Sequence, residues 1–348
     1  MSKSSRIYIV LLNWNGWRDT IECLESVFRS DVKDFRVIVC DNDSKDESLT
    51  HIKAWADGLL NVALPRNHGL RELSFPPLDK PIAYLEYDKG VAESGGHPDR
   101  GDAKLVLIQT GNNLGFAGGN NVGLRYALIR DDFDYVWLLN NDTVIRPDAL
   151  SQMIVRMQQR PSAGICGSTL LYYSMPDKVQ AWGGAKYNKW LGTTQMLGAF
   201  TQAGGSVDSD TVESGLAFIS GASMLVSKPF LQRIGLMRED YFLYFEEIDW
   251  AMRAKGRYQL CYAPGSIVYH KEGGSIGTNS VVPKEKSLTA DYYGVRSRLL
   301  FTRYFFPWCL PFIYIGLLPV LVNRLRRRQW QRVGMILSLA CGIHKNGS

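Results

Sequence analysis

Four strand-length apolar runs, each followed by a cluster of amide and carboxylate side chains, set the tightest limit on what this chain can fold into. They lie at 6–13, 35–40 (FRVIVC), 104–109 (KLVLIQ) and 135–139 (YVWLL). A run without polar alternation suits a strand buried on both faces, as in a parallel sheet. Between the runs the period changes. Trp17, Ile21, Leu24 and Phe28 recur at helical spacing, and helices are expected near 117–130 and 147–159. Strand and helix alternating in short units predict an α/β fold, a mostly parallel sheet with right-handed crossovers. Ligands of such sheets bind beyond the carboxyl ends of the strands.

The rest of the chain keeps this rhythm less strictly. Residues 66–102 hold Pro76, Pro77, Pro81 and Pro98, with Pro65 just outside, together with the pair Gly95-Gly96 and mixed charges, and read as a long surface insertion with a short strand at 82–86. Residues 179–205, rich in Gly, Trp and Tyr, read as hairpins or loops. A strand is expected at 219–227, a helix at 246–255, and one or two short strands at 259–270.

Composition bounds the class. With 45% apolar and 21% charged residues, the chain has the make-up of a folded globular protein. Its six cysteines form no CxxC pair, which predicts reduced, mostly buried thiols and a cytosolic setting. The N-terminus reads as lacking a signal peptide, because 1–6 is polar and the apolar run after it is only strand length. The net charge of +6 is local. From 295 to 348 there are eight Arg and one Lys with no acid, so the first 294 residues carry −3 (31 Lys+Arg against 34 Asp+Glu). In the same tail, 304–322 is uncharged and Arg324, Arg326, Arg327 and Arg328 follow. Its length reaches that of a membrane span, but Pro307, Pro311 and Pro319 disfavour a straight helix. An interfacial or re-entrant attachment with the Arg cluster on anionic lipid is the favoured expectation. A single span and a helical appendage packed on the body are the alternatives. The stretch 333–343 is too short to cross. The basic tail abuts apolar sequence, which argues for a membrane surface and against nucleic acid.

The polar clusters carry the chemistry. They are Asn13-Trp14-Asn15-Gly16, Asp41-Asn42-Asp43-Ser44, a segment from Asn112 to Asn121, and Asn140-Asn141-Asp142-Thr143. One such cluster is an ordinary turn or cap; four at one sheet edge point to a site. A nucleotide diphosphate sugar offers a base edge, ribose hydroxyls, two phosphates and a sugar. Asp41 suits a base N–H or a ribose hydroxyl. Glycines 115, 118 and 119 suit close backbone approach near a helix N-terminus. Asp142 suits a hard divalent cation. Asn13 and Trp14 fit either a base-framing or a strand-capping role. A second constellation, YFLYFEEIDW at 241–250, puts Glu246 and Glu247 at a helix start, where either a general base or dipole-complementing acids fit. Asp249 and Arg253 are four apart and suited to pair. His270 ends an apolar strand, a position that is structural unless its neighbours say otherwise.

In this order the segments resemble the inverting family 2 glycosyltransferases with the GT-A fold, most of all the rhamnosyltransferase-like branch. The matching stretches are IVLLNWNGWRDTIECLESV, VIVCDNDSKDES, NNLGFAGGNNVGLRYA, YVWLLNNDT, ISGASMLVS, YFLYFEEIDWAMRAKG and YAPGSIVYH, within about three quarters of the chain. The resemblance implies a Rossmann-like catalytic domain over 1–275, with a nucleotide-sugar half to about 145, an acceptor half over 146–275, and the insertion at 66–102. A basic, partly apolar, helical C-terminal region at 276–348 follows it. Donor contacts are implied for Asn13, Asn15, Asp41, Asn113, Gly115, Phe116, Gly119, Asn140 and Asn141. Asn140-Asn141-Asp142 stands where many relatives have Asp-x-Asp, so Asp142 is the one carboxylate for Mg2+ or Mn2+, with His270 completing the site. The base is implied at Glu247, with Glu246 as the neighbouring candidate. Gly221, Ala222, Asp249 and Trp250 match segments that line the acceptor side. The implied reaction is inverting transfer of a sugar, dTDP-rhamnose or another dTDP- or UDP-sugar being the expected donor. The implied acceptor is a hydroxyl of a glycan or lipid-linked molecule, at the cytoplasmic face of the membrane in cell-surface polysaccharide synthesis. A non-catalytic nucleotide-sugar-binding or scaffold protein is the alternative. A processive synthase would need a QxxRW motif, which Gln329-Trp330-Gln331-Arg332-Val333 is not, and a nucleotidyltransferase a Gly-rich basic loop after the first strand.

Overall fold

Each of the four apolar runs is a buried strand in the computed structural model, which describes residues 6–60, 69–97, 103–271 and 287–342. The first half comprises β1 (Ile7–Asn13), α1 (Trp17–Val27), β2 (Phe35–Asp41), α2 (Ser48–Ala56), β3 (Tyr84–Asp88), α3 (Lys89–Glu93), β4 (Leu105–Gln109) and α4 (Gly115–Arg130). It continues through β5 (Tyr135–Asn140), β6 (Thr143–Ile145) and α5 (Ala149–Gln159). The second half comprises β7 (Ala163–Tyr172), β8 (Met175–Trp182), β9 (Gly184–Asn188), β10 (Thr193–Met196), α6 (Ser209–Gly215), β11 (Phe218–Ile219) and β12 (Ser223–Ser227). After these come α7 (Lys228–Ile234), α8 (Glu246–Ala254), β13 (Gln259–His270), α9 (Leu288–Phe305), α10 (Leu310–Arg326) and α11 (Trp330–Ala340).

The main sheet has the order β3-β4-β2-β1-β5-β12-β7-β13-β6, with β8 on β7. From β3 to β5 the strands are parallel, and β12 runs antiparallel between β5 and β7. The absence of alternation in the sequence has its reason in the packing. In β1, Ile7, Ile9 and Leu11 join a core under α1, α2 and α5, while Tyr8 and Val10 join a second core under α4, α7 and α8. Burying one such aliphatic side chain is worth about 1.5–3 kcal/mol, so both faces of these strands drive folding. All six cysteines are free; five are buried, and burial pushes the Cys23 and Cys40 thiols up to about 12.

Three segments add to the sequence-based expectation. The short strand expected at 82–86 forms two residues later as β3, and it pairs with β4 in parallel, so the insertion extends the sheet at its edge. Residues 66–68 and 98–102 of that insertion lie outside the described residues. The segment 259–270 is one strand whose register with β7 breaks between Ala263 and Ile267, at Pro264-Gly265, where proline lacks a ladder donor. The tail forms three helices. α9 packs on the α/β body: Phe301 is fully buried against Tyr187 and Phe245, and Tyr293 stacks on Phe242 with ring centroids 4.5 Å apart. α10 and α11 pack on α9 through Ile313, Leu317, Ile336 and Leu339. Among the described residues one helical stretch, Pro307–Arg326, is long and apolar enough to cross a membrane.

Candidate active site

The parallel register puts Asn13 of β1 beside Asp41 of β2, at the carboxyl ends of adjacent strands. Asn13 Nδ2 donates to Asp41 Oδ1 (2.6 Å) and to Ser44 Oγ (3.1 Å). Ser44 donates to Asp41 through both its hydroxyl (2.6 Å) and its amide (3.1 Å), and Gln109 Nε2 donates from β4 at 3.2 Å. Asp41 is therefore a buried carboxylate with four donors, and a ligand N–H or O–H reaches it by replacing one of them. Gln109, partly exposed like Ser44, has its amide oriented by Asp41 on one side and by the Gly111 amide, which donates to Oε1 at 3.1 Å, on the other. Asn13 Oδ1 accepts from Thr20 Oγ1 (2.8 Å) and from Asn141 Nδ2 (3.3 Å), so both asparagines serve a buried network that ties β1, β5 and α1 together. Asn15 lies exposed at φ 50°, its Oδ1 accepting from the Lys45 amide.

The loop before α4 is pinned from β2. Asn42 Nδ2 donates to Asn113 Oδ1 (2.9 Å) and its Oδ1 accepts from the Leu114 amide (3.0 Å). At Gly115, φ is +71° and a Cβ would lie 2.2 Å from the Phe242 carbonyl oxygen, to which the Phe116 amide donates at 2.7 Å. Glycine there is the condition for α4 to start against the 242–245 segment. At Gly119 the space of the missing Cβ is filled by Leu12 of β1, so this glycine seats the helix on the sheet and offers no room to a ligand, contrary to the close-approach expectation.

At the end of β5, a tight turn puts Asp142 in front of β6. β6 is antiparallel to the end of β13, with His270 opposite Thr143. As a result His270 Nε2 stands 3.1 Å from Asp142 Oδ1 and 3.3 Å from Asn140 Nδ2. The other ring nitrogen, Nδ1, lies 2.9 Å from Gln180 Oε1 of β8, an acceptor that fixes the proton on Nδ1 and leaves the Nε2 lone pair toward Asp142 when the ring is neutral. Burial opposes ionisation of Asp142, but His270, when its ring is protonated, and Lys271 together outweigh it and hold the carboxyl below its ordinary range. Two donor atoms at this spacing suit a hard cation, because cis ligands at about 2.1 Å lie about 3.0 Å apart. Among the described residues no group of three or more His, Cys, Asp or Glu could hold a metal ion. Lys271 braces the strand end: its amide donates to the Asp142 carbonyl (3.0 Å) and its ammonium pairs with Asp19 (2.6 Å) and Glu22 of α1.

On the other side of the cleft stands α8. The residues before it are wound tightly, with Phe242, Tyr244 and Phe245 at φ 65°, 66° and 74°. Such left-handed backbone on bulky residues costs on the order of 1–3 kcal/mol each and persists only where the surroundings impose it. Here α9 imposes it: the Ser297 hydroxyl is shared between the Leu243 (2.9 Å) and Tyr241 (3.2 Å) carbonyls, and Arg296 donates to the Asp240 carbonyl. The winding delivers Glu247 onto the Gly221 turn, where a Cβ would lie 2.4 Å from Glu247 Oε1 and 2.9 Å from Phe116. Burial raises the Glu247 pKa, partly offset by the Glu247 and Gly221 amides that hydrogen-bond its carboxylate. Glu246 is fully buried, its Oε2 has no partner, and burial together with Glu247 lifts its pKa well above the ordinary range. The two acids thus differ: Glu247 is partly open to the cleft, and Glu246 is sealed in the wall with its carboxyl pushed toward the neutral form.

Ala222, next to Gly221, accepts from the Asn140 amide at 3.1 Å. Two residues expected on the acceptor side are elsewhere. Asp249 is fully buried and bound to Arg253 (2.6 Å) and the Tyr241 hydroxyl (2.9 Å), as the i,i+4 spacing with Arg253 anticipated. Trp250 is buried in the core with its indole N–H on the Gly235 carbonyl (2.8 Å). Both anchor α8 and neither lines the cleft. Sequence reasoning missed Gln109, Gln180, Thr20 and Lys271 as members of the site. Lys271 had a signal, its place directly after His270; the two glutamines had none, because strand register alone brings them in.

A family model described as "Glycosyltransferase like family 2" matches residues 92–288, and one described as "Glycosyl transferase family 2" matches residues 8–72. The chain is 26% identical over 151 residues to the low-salt glycan biosynthesis hexosyltransferase Agl10 of Haloferax volcanii, a match covering 43% of this chain and 46% of that protein. It therefore spans about half the length of the curated relative it matches. Two solved structures share the fold. The mannosyltransferase PcManGT from Pyrobaculum calidifontis, in complex with GDP-Man and Mn2+, superposes with a TM-score of 0.52 at 14% identity, over 100% of this chain and 89% of that one. GalNAc-T7 with UDP, GalNAc and Mn2+ superposes with a TM-score of 0.51 at 9% identity, over 78% of this chain and 44% of that one.

Proposed function

The chain belongs to glycosyltransferase family 2, and from that premise we propose that it transfers a sugar, with inversion, from a nucleoside diphosphate donor to an acceptor hydroxyl. The observation that carries this reading is the hydrogen bond from the Asn140 amide to the Ala222 carbonyl. It sets the strand end bearing Asp142 beside the turn on which Glu247 rests, so a cation-binding pair and a base share one cleft.

Asp41 and Gln109 form the nucleoside end, with Asn15, Asn113 and Phe116 around the donor; Asn13, Asn141 and Gly119 support it from behind. Asp142 Oδ1 and His270 Nε2 would hold the divalent cation, Mg2+ or Mn2+, which when bound neutralises the charge developing on the diphosphate. Glu247 receives the acceptor's hydroxyl proton as the acceptor oxygen bonds to the anomeric carbon and the bond from that carbon to the phosphate oxygen breaks. A base with a raised pKa is well matched to a proton released at neutral pH. Gly221 gives Glu247 its seat and leaves the acceptor side open. The fit of Asp41 to a pyrimidine ring N–H supports a dTDP- or UDP-sugar, dTDP-rhamnose foremost, and the apolar tail supports work at a cytoplasmic membrane surface on a cell-surface glycan.

The test is calorimetric titration of the protein with dTDP-rhamnose, UDP-sugars and GDP-mannose in the presence of Mn2+, with Asp142→Ala as control. Binding of one donor that the control loses, followed by a product of inverted anomeric configuration by NMR, is expected. Equal binding by the control, or retention of configuration, overturns the assignment.

A further inference from the structure

The outward face of α10 is apolar from end to end. Trp308, in the turn just before the helix, and Phe312, Ile315, Leu318, Val322 and Leu325 on it recur at three- or four-residue spacing and are all exposed, while Ile313 and Leu317 on the opposite side pack on α9 and α11. No charge interrupts the stretch from 304 to 323. The stripe runs for about 25 Å along the helix. A second part of the molecule joins it: the tip of the β9–β10 hairpin carries exposed Lys189, Trp190 and Leu191, and Trp190 meets Phe312 edge to face at 5.1 Å. Gly192 locks this tip in place, since a Cβ there would lie 2.8 Å from Arg298 of α9 and 3.0 Å from Ile313 of α10.

We propose that α10 and the 189–191 tip together form a docking face that lies in the surface of an anionic membrane, and, resting on the transferase reading, that the acceptor is carried on a lipid in that same membrane. Three features select a lipid surface. Tryptophans at 190, 308 and 330 stand at the margins of the apolar stripe, where the headgroup region favours indoles. Cations stand at both ends, Lys189 near the start and exposed Arg326, Arg327 and Arg328 at the finish, which suits a helix lying flat on one anionic leaflet. A second copy on the same face would bring these like charges together, against the association. A spanning helix would have to abandon the α9–α11 contacts that bury Ile313 and Leu317. The acceptor follows from a separate three-stranded sheet of order β10-β9-β11. β9 leads from the docking tip back to Gly184, which pairs with Ile219 of β11, two residues before Gly221. That path is about 15–20 Å, so the turn under Glu247 stands within reach of a glycan head on a membrane-bound carrier.

The full chain is floated with vesicles of equal parts phosphatidylglycerol and phosphatidylcholine, and with phosphatidylcholine alone. Co-flotation with the anionic vesicles, at least tenfold weaker on the neutral ones and released by high salt, is expected. Trp190→Ser with Ile315→Ser lowers it at least tenfold, and Arg326→Glu with Arg327→Glu removes the preference for anionic lipid. Because every substituted side chain is exposed, UDP or dTDP binding in the presence of Mn2+ stays within twofold of the unsubstituted chain. Absence of flotation overturns the proposal. So does a dimer that the Trp190/Ile315 variant dissolves, which gives the face to a second copy, or attachment resisting alkaline extraction, which makes α10 a span. Loss of nucleotide binding by the unsubstituted chain with flotation intact sinks the transferase reading and leaves the docking face standing. For the acceptor, transfer to a polyprenyl-phosphate-linked glycan in the vesicles that falls with the docking variants supports it; equal transfer to the same glycan without the lipid refutes it.

Discussion

Glu246 and Glu247 are adjacent and chemically identical, and their surroundings give them opposite tasks. Glu247 touches the Gly221 amide and is partly open, which in the proposed reaction lets it take the acceptor's proton; Glu246 is sealed in with an oxygen that has no partner. Glu247→Gln is expected to lower kcat by about 10²–10⁴ with donor binding unchanged, measured as donor KM and calorimetric affinity. Because burial raises the Glu247 pKa, activity falls as pH drops through a value above the ordinary glutamate range, and this acid limb disappears in the variant. Glu246 sets a stability term of definite sign. Its folded-state pKa is raised, so between the unfolded value near 4.5 and the folded one the native state holds one more proton than the unfolded state, and stability falls as pH rises. Removing the group by Glu246→Gln flattens that slope by up to about 1.4 kcal/mol per pH unit, measured by urea unfolding from pH 5 to 8. An unchanged slope would mean that Glu246 is ionised in the fold. The sequence put both acids at the head of a helix and could not separate them, because the difference lies in the Gly221 turn, 25 positions away in the chain (246 against 221). Asp249 and Trp250 were legible as residues of the right segment, but helical phase turns them into the core.

α9 shows how an element from the tail sets the backbone that carries the proposed base. It was legible only as the start of a basic tail, since nothing in its sequence reports what its face will meet. In the fold, Ser297 and Arg296 hold the carbonyls of the segment that winds into α8, and Tyr293 stacks on Phe242. The strain at Phe242, Tyr244 and Phe245 is thereby opposed by contacts from the tail, and Glu247 keeps its place. Ser297→Ala leaves two buried carbonyls without that donor, a loss of about 1–3 kcal/mol. If the loss falls on positioning, kcat decreases roughly tenfold for each 1.4 kcal/mol while donor KM is kept. A fall in melting temperature with unchanged kcat would make Ser297 structural only, and Ser297→Thr, which keeps the hydroxyl, should restore most of the rate. The parallel strands, by contrast, were readable from their continuous apolar runs, because burial on both faces leaves its mark in local sequence. The edge strand β3 was blurred by its exposed face and by the prolines before it.

Across the whole molecule the site joins two halves that have different strand directions. Asp142 ends the parallel β1–β5 half, and His270 arrives from β13, held by Gln180 of β8 and by Lys271 against α1. In the proposed site two protein donors, Asp142 and His270, would leave most of a divalent cation's coordination to water and to the donor's phosphates. Cation and nucleotide binding should therefore be mutually dependent, with the same factor in both directions. Thermal unfolding with Mn2+ alone, with UDP or dTDP alone, and with both is expected to show a small shift for each alone and a large one together. At a hundredfold excess over the dissociation constant the pair contributes about 2.7 kcal/mol, which a chelator abolishes. Gln180→Leu removes the acceptor that fixes the His270 ring, and should weaken the apparent Mn2+ affinity of the nucleotide complex by about 10–100-fold while nucleotide binding without metal is unchanged. Shifts that merely add, or a Gln180→Leu variant with unaltered Mn2+ dependence, would separate the two halves and remove His270 from the cation site.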